Sequence, residues 1–136
     1  EKRWGIFLFD EEKSEIIGVC EVISQKEDGV KVLLIVYTFI DENYRGNRLC
    51  YELVKKTILK NEEKKGTLIK VVIAGGESIL KCLIKVFKEL KYKVKKYKSD
   101  EEEDIHKLKT ITFEDAIKIE KKNKKTDCWQ TLFFTL

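Results

Sequence analysis

The chain has 136 residues, of which 43% are hydrophobic and 38% are charged, and its formal net charge at pH 7 is +4. This length suits one domain with its own core, so we expect a single domain over residues 1–136. No run approaches the roughly 20 apolar residues of a membrane helix, and the first strand-like run is too short and mixed for a signal peptide. The composition therefore predicts an intracellular protein without a membrane partner, by default cytoplasmic, although a nuclear protein would look the same.

The charges and the cysteine spacing argue against two classes of protein, nucleic-acid-binding proteins and zinc proteins. The 28 basic residues are nearly balanced by 24 acidic ones, which disfavours a nucleic-acid partner, because such proteins usually carry a larger and more localised basic excess. Cys20, Cys50, Cys82 and Cys128 lie about thirty or more residues apart, whereas a zinc site needs clustered ligands. We therefore expect no metal, and we interpret most of the cysteines as small buried thiols in a reducing compartment.

The first forty residues predict three antiparallel strands. Apolar runs at 4–9 and 16–24 flank a polar turn, and Asp28-Gly29 supplies a turn signal before a third run at 32–40. This third run is β-branched and aromatic almost throughout. We therefore expect it to form a central strand that is buried on both faces.

Helices and strands alternate in the middle of the chain. Apolar residues at helical spacing predict a helix over 47–61, and the run at 67–74 predicts another buried strand. A helix between two hydrophobic strands indicates a βαβ unit, so 32–40 and 67–74 should pair in parallel. A second amphipathic helix is predicted to open at 75–78 and to end near Leu90.

The last third predicts one more strand, a loop, a helix and a final strand. Alternation over 92–97 indicates a strand with a lysine-covered face, which we interpret as an edge strand whose lysines discourage aggregation. The acidic run 99–104 predicts a solvated loop. The capping-box pattern Thr-Phe-Glu-Asp opens a short helix over 112–122, and 128–135 is aromatic and strand-like. The predicted fold is a mixed α/β (α+β) sheet flanked by helices, in the order β-β-β-α-β-α-β-(helix)-β.

The turn between the run 32–40 and the first helix has the composition of a phosphate site. Residues 44–48 read Tyr-Arg-Gly-Asn-Arg. The first N–H groups of a helix lack internal partners, and the helix dipole favours an anion there. Gly46 would let the backbone approach such an anion closely.

The stretch from Ile40 to Cys50 resembles the V-x-P-x-Y-R-G-x-G-x-G segment of the GNAT superfamily of N-acetyltransferases, in which this turn holds the pyrophosphate of acetyl-coenzyme A. The family's proline is Glu42 here, and its last two glycines are Arg48 and Cys50. The predicted order of elements matches the family from its second strand to its end, with one insertion. No predicted element of this sequence corresponds to the family's first strand and two helices, and those two helices usually form one wall of the acceptor site.

The resemblance implies that the chain is an enzyme that transfers an acetyl group from acetyl-coenzyme A to a primary amine, by direct attack in a ternary complex. The acceptor would be a small molecule or a protein, and either the inserted helix 112–122 or a second copy in a homodimer would replace the missing wall. The implied cofactor-binding residues are Thr38, Phe39 and Ile40 for the pantetheine arm, and Arg45, Gly46, Asn47, Arg48, Leu49 and Cys50 for the pyrophosphate.

Both of the family's best-known proton-transfer positions hold other residues here. The tyrosine that often serves as the acid corresponds to Phe87, and a glutamate found on the central strand corresponds to Leu34. We propose Tyr37, on the central strand, as the acid, and Glu21, on the neighbouring strand, as a second catalytic candidate. For each, the alternative is a structural role, as a core aromatic or as a carboxylate on a wet face.

Two other functions fit the sequence. A non-catalytic domain of the same fold would bind an acyl-coenzyme A or a protein partner, and the substitutions in the turn and at Phe87 favour it. A small basic module would instead bind nucleic acid or an acidic protein through the lysine-rich run 91–98.

Overall fold

The computed structural model describes residues 1–46, 48–61, 65–74, 79–99, 101, 103–126 and 129–136. Asn47, residues 62–64 after the first helix, the predicted helix opening at 75–78 and Cys128 lie outside the described residues. The elements are β1 (Lys2–Asp10), β2 (Glu15–Glu27), β3 (Val30–Ile40), a 3₁₀ turn (Glu42–Tyr44), α1 (Leu49–Lys60), β4 (Leu68–Ala74), α2 (Ile79–Glu89), β5 (Lys93–Tyr97), β6 (Leu108–Ile111), α3 (Phe113–Thr126) and β7 (Trp129–Thr135).

The strands in the described ranges form one mixed sheet in the order β1-β2-β3-β4-β7-β5-β6. The first three make the predicted antiparallel meander. Strand β3 pairs in parallel with β4, as the βαβ pattern predicts. The predicted mixed α/β architecture, a sheet flanked by helices, is therefore confirmed.

Two predictions about the last third of the chain are wrong. Strand β5, which carries most of the lysine-rich run, is not an edge strand, because it lies between β7 and β6. Strand β6 forms the edge instead, in a segment that the sequence pattern predicted to be loop. It has only four residues, too few for a clear alternation, and it is defined by pairing with the backbone of β5.

The helices described pack on one face of the sheet. Paired positions on neighbouring strands put their side chains on the same face. The large core on this face joins buried residues of α1, α2 and α3 to those of five strands, β2, β3, β4, β5 and β7. Helix α3 contributes Ala116 to this core and packs on α2, β4 and β7. It therefore lies on the same face of the sheet as α1 and α2.

The opposite face of the sheet is covered at one end and open at the other. At the covered end Val32, Ile105 and Phe133 form a second, small cluster. At the other end large apolar side chains are exposed, and we call this surface the open face. Its members, with their exposed fractions, are Phe7 (59%), Phe9 (56%), Tyr37 (50%), Phe39 (40%), Val72 (41%) and Trp129 (70%).

Helix α2 ends in a Schellman motif that holds a lysine in a left-handed conformation. The N–H of Tyr92 donates to the Phe87 carbonyl at 2.9 Å, and the N–H of Lys91 donates to the Lys88 carbonyl at 3.2 Å. The rings of Phe87 and Tyr92 lie 5.1 Å apart, which supplies the apolar contact of this motif. Lys91 has φ of 65°, a backbone conformation that favours glycine.

We expect Lys91→Gly to stabilise the protein by about 0.5–1 kcal/mol. The left-handed conformation costs a non-glycine residue about 1–2 kcal/mol, and the larger entropy of glycine in the unfolded chain offsets part of the gain. Urea denaturation would measure the free energy of unfolding. Lys81→Gly, at an exposed position inside α2, is the matched control and should destabilise by about 1 kcal/mol. A similar loss at both positions would contradict the prediction.

Candidate functional site

A cleft of about 760 Å³ opens where β3 and β4 separate. The two strands pair only from Val32 to Ile35 on β3, opposite Leu68 to Val71 on β4. Beyond this point β4 continues alongside β7. The outer part of β3 is left with a neighbour on its β2 side alone among the described residues.

This separation corrects the prediction that the run 32–40 is buried on both faces. Val36, Tyr37 and Phe39 are exposed by 43%, 50% and 40%. The register between β2 and β3 shifts at Val36, which is an extra residue on β3 and forms a β-bulge. The outer half of β3 is therefore a wall of the cleft, whereas its inner half belongs to the core.

The turn after β3 is tied to the end of β1. The hydroxyl of Tyr44 donates to Oδ2 of Asp10 at 2.5 Å. This hydrogen bond lowers the pKa of Asp10 and raises the pKa of Tyr44. The side chain of Asp41 accepts from the N–H of Asn43 at 3.0 Å and starts the 3₁₀ turn. The path of the chain into the arginine-glycine segment is thus held from both sides.

Two arginines flank Gly46 at one end of the cleft. Arg45 Nε donates to the carbonyl of Ile40 at 2.9 Å, and its guanidinium lies 5.7 Å from the centroid of the Phe39 ring. Arg48 is the N-cap residue of α1, with φ of 61°, and no side chain caps the helix there. Its guanidinium lies 4.9 Å from the centroid of the Tyr51 ring. Positive charge and the first turn of α1 therefore meet at this end of the cleft.

The structure brings most of the predicted binding residues together. The predicted positions that line the cleft are Thr38, Phe39, Ile40, Arg45, Gly46, Arg48, Leu49 and Cys50; Asn47 lies outside the described residues. Sequence reasoning missed Val72, Ile79 and Trp129, which also line it. Trp129 reaches the cleft because β7 pairs with β4, and no local pattern signals that pairing.

The two proposed proton-transfer residues lie on neighbouring strands. Tyr37 lines the cleft, and its ring stacks on Phe39 with the centroids 6.2 Å apart. Glu21 is the register partner of Tyr37 on β2. It is not part of the cleft lining, and its carboxylate accepts a hydrogen bond from Arg3 at 2.6 Å.

Phe87, at the position of the family's tyrosine, belongs to the core. Its side chain is fully buried, and its ring stacks on that of Phe134 with the centroids 4.0 Å apart. Tyr51 and Tyr92 are also buried. The ring of Tyr51 lies under the Arg48 guanidinium, and the ring of Tyr92 packs against Phe87. Tyr37 is therefore the tyrosine of β3 that faces the cleft.

Within the described ranges, no group of three or more His, Cys, Asp and Glu side chains is arranged to hold a metal ion. Nor does the described part of the chain contain a helix long and apolar enough to cross a membrane.

No protein-family model matches the chain, and no curated protein matches it significantly. Among solved structures, the chain is similar to NAA60 from Arabidopsis thaliana, in complex with a bisubstrate analogue, with a TM-score of 0.44 and 11% identity over 61% of this chain and 53% of that one. It is also similar to an acetyltransferase of the GNAT family from Streptococcus pneumoniae, with a TM-score of 0.45 and 11% identity over 91% of this chain and 62% of that one. The chain thus spans less than two thirds of either structure.

Likeness at this level says nothing about activity or acceptor. The order of the elements, apart from β6, and the parallel pairing of β3 with β4 are, however, those that the sequence resemblance implies. The described elements thus have the arrangement of a GNAT-like fold.

Proposed function

We propose that the chain is an N-acetyltransferase that transfers the acetyl group of acetyl-coenzyme A to a primary amine of a small molecule or a protein. The observation that carries this proposal is the cleft between β3 and β4, with an arginine-glycine turn and the first turn of α1 at one end. A cleft with an apolar body and one cationic end suits a long ligand that is anionic at one end.

The residues present fit acetyl-coenzyme A. The cleft volume of about 760 Å³ lies within the roughly 300–1,000 Å³ of ordinary small-molecule sites. A Cβ placed on Gly46 would meet nothing within 4 Å, so the backbone there is open to a ligand. Arg45 and Arg48 would hold the pyrophosphate with charge, and the apolar wall of β3 would hold the pantetheine arm. The coenzyme would supply the acetyl thioester.

The chain's own residues would position the acceptor and move two protons. As the amine nitrogen attacks the thioester carbonyl carbon and the carbon–sulfur bond breaks, Tyr37 would donate its hydroxyl proton to the departing sulfur. The amine proton would pass to Glu21 through a water, since Glu21 lies opposite Tyr37 in the β2–β3 register but is not part of the cleft lining. No covalent intermediate with the protein is required.

The acceptor would lie over the open face next to the cleft. Tyr37, Phe39, Val72 and Trp129 belong to both surfaces, so a molecule on the open face reaches the cleft without crossing another element described here. A second copy of the chain, packed on the open face, would complete the acceptor site as a homodimer. Sedimentation at increasing protein concentration would test this assembly, and a monomer throughout would contradict it.

Calorimetric titration with acetyl-coenzyme A tests the proposal. Micromolar binding, followed by release of coenzyme A thiol in the presence of a suitable amine, would support it. Binding without turnover over a broad panel of amines would favour the non-catalytic alternative. That alternative is also supported by Phe87, which stands at the position of the family's tyrosine and is fully buried. No binding would contradict both the assignment of acetyl-coenzyme A as cofactor and the proposal that the chain is an enzyme.

Tyr37→Phe should lower kcat by about 10²-fold or more without changing the affinity for acetyl-coenzyme A. Positioned general acids typically contribute about 10²–10⁴-fold, and the substitution removes only the hydroxyl. Tyr97→Phe is the matched control, because Tyr97 packs on Phe133 in the small cluster away from the cleft. An unchanged kcat in Tyr37→Phe would show that Tyr37 is not the acid.

A further inference from the structure

Two cysteines that are far apart in the sequence lie side by side in the structure. Cys50 is the second residue of α1, and Cys82 is the fourth residue of α2. The pKa of each thiol is shifted by the other, so the two side chains lie within interaction distance. Both are free and half-buried, and both pack against the large core.

The packing of the two helices explains this proximity. Lys85 Nζ lies 5.7 Å from the centroid of the Tyr51 ring, and one turn further along, Lys55 Nζ binds Glu89 Oε1 at 3.0 Å. Both contacts join residues that are 34 positions apart. The helices therefore run side by side in the same direction, and their N-terminal turns, which carry the cysteines, lie together.

The two thiols differ in their surroundings, because Cys50 belongs to the cleft lining and Cys82 does not. The neighbouring Cys82 thiol lowers the pKa of Cys50, and a position in the first turn of a helix also favours a thiolate. Cys50 lines the cleft, so a small reagent can reach it. The neighbouring Cys50 thiol raises the pKa of Cys82.

Cys20, the remaining free thiol in the described residues, is an internal control for a buried and unreactive thiol. Cys20 is fully buried, with an exposed fraction of 0%. Burial raises the pKa of its thiol, and the Thr38 hydroxyl donates a hydrogen bond to its sulfur at 3.5 Å. A reagent that modifies Cys50 should therefore leave Cys20 unmodified in the folded protein.

We propose that Cys50 and Cys82 form a thiol–disulfide exchange site for low-molecular-weight disulfides such as oxidised glutathione. The Cys50 thiolate attacks one sulfur of the small disulfide, whose S–S bond breaks and releases one thiolate. Cys82 then loses its proton and attacks Cys50 Sγ, which releases the second thiolate. The two protein thiols are oxidised to one disulfide that joins α1 to α2, and the small disulfide is reduced to two thiols. This chemistry does not depend on acetyl transfer.

Peptide mapping after exposure to oxidised glutathione tests the site. The experiment uses the full chain with the substitution Cys128→Ser, so that Cys20, Cys50 and Cys82 are the thiols that can react. We expect a cross-linked peptide pair that joins Cys50 to Cys82, with Cys20 reduced. In Cys82→Ala glutathione should stay on Cys50, and Cys50→Ser should lose both products. Glutathione that stays on Cys50 although Cys82 is present, or equal modification of Cys20 in protein whose circular dichroism is native, would overturn the proposal.

The pH dependence of the first step gives a second readout. The reaction needs the thiolate, so the rate should rise with pH through the pKa of Cys50, with a midpoint below the roughly 8.5 of an ordinary thiol. In Cys82→Ala the neighbouring thiol is lost, and the midpoint should move up. A midpoint that is the same with and without Cys82 would contradict the pairing of the two thiols.

Discussion

Replacing Arg48 with glycine should weaken the binding of acetyl-coenzyme A by about 10-fold to 100-fold while leaving the fold at least as stable. Arg48 lies at the N-cap of α1 beside the cleft, and a hydrogen bond to a charged group contributes about 1.5–3 kcal/mol, where 1.4 kcal/mol is tenfold in affinity. Glycine suits the left-handed backbone, since φ at this position is 61°. The substitution thus removes the charge without disturbing the turn.

The controls separate charge from structure. Arg48→Lys keeps the positive charge and should retain part of the affinity. Lys55→Ala removes a nearby cation that already binds Glu89 and should change the affinity little. Arg45→Ala is less informative, because Arg45 also holds the carbonyl of Ile40. Calorimetric titration at two salt concentrations measures the effect. Wild-type affinity in Arg48→Gly would show that the pyrophosphate does not bind at this turn.

Replacing Phe87 with alanine should cost about 3–5 kcal/mol of the free energy of unfolding. Phe87 is fully buried, stacks on Phe134 and contacts Tyr92, so its loss removes apolar burial and leaves a cavity. Because natural domains have only about 5–15 kcal/mol in total, this variant should be marginal at room temperature. Urea denaturation monitored by circular dichroism measures the change.

Phe7→Ala is the matched control for that substitution. The side chain is the same, but Phe7 lies on the open face and is 59% exposed, so the cost should stay within about 0.5 kcal/mol. Phe87→Leu, which keeps more of the volume, should fall between the two. Equal costs for Phe87→Ala and Phe7→Ala would show that Phe87 is not a core residue and would reopen its comparison with the family's tyrosine.

The parts of the site that could be predicted rest on local chemistry. Residues 44–48 combine arginine and glycine before a helix, and the described ones come together at one end of the cleft. The capping box of α3 is similar: Asp115 N–H donates to Thr112 Oγ1 at 3.0 Å, and Thr112 N–H donates to Asp115 Oδ2 at 3.4 Å. Each pattern acts within one or two turns of chain, so the sequence displays it directly.

The parts that could not be predicted depend on distant partners. The exposure of Tyr37 and Phe39 follows from a bulge in β3 and from the separation of β4, whereas their apolar character alone predicts burial. Cys50 and Cys82 read as two isolated helix-core residues until α1 and α2 are placed side by side. Neither contact leaves a mark in the local periodicity.

The sequence by itself determined the helices and most of the strands, the parallel βαβ pair and the cationic turn before α1. It could do so because apolar spacing, caps and turn residues act over a few positions. Only the tertiary structure decided that β7 enters the sheet between β4 and β5, that β6 is the edge, and that one face of the sheet is partly bare. These features are set by which distant segments pair and which face each helix covers, and the same local patterns are compatible with several such arrangements.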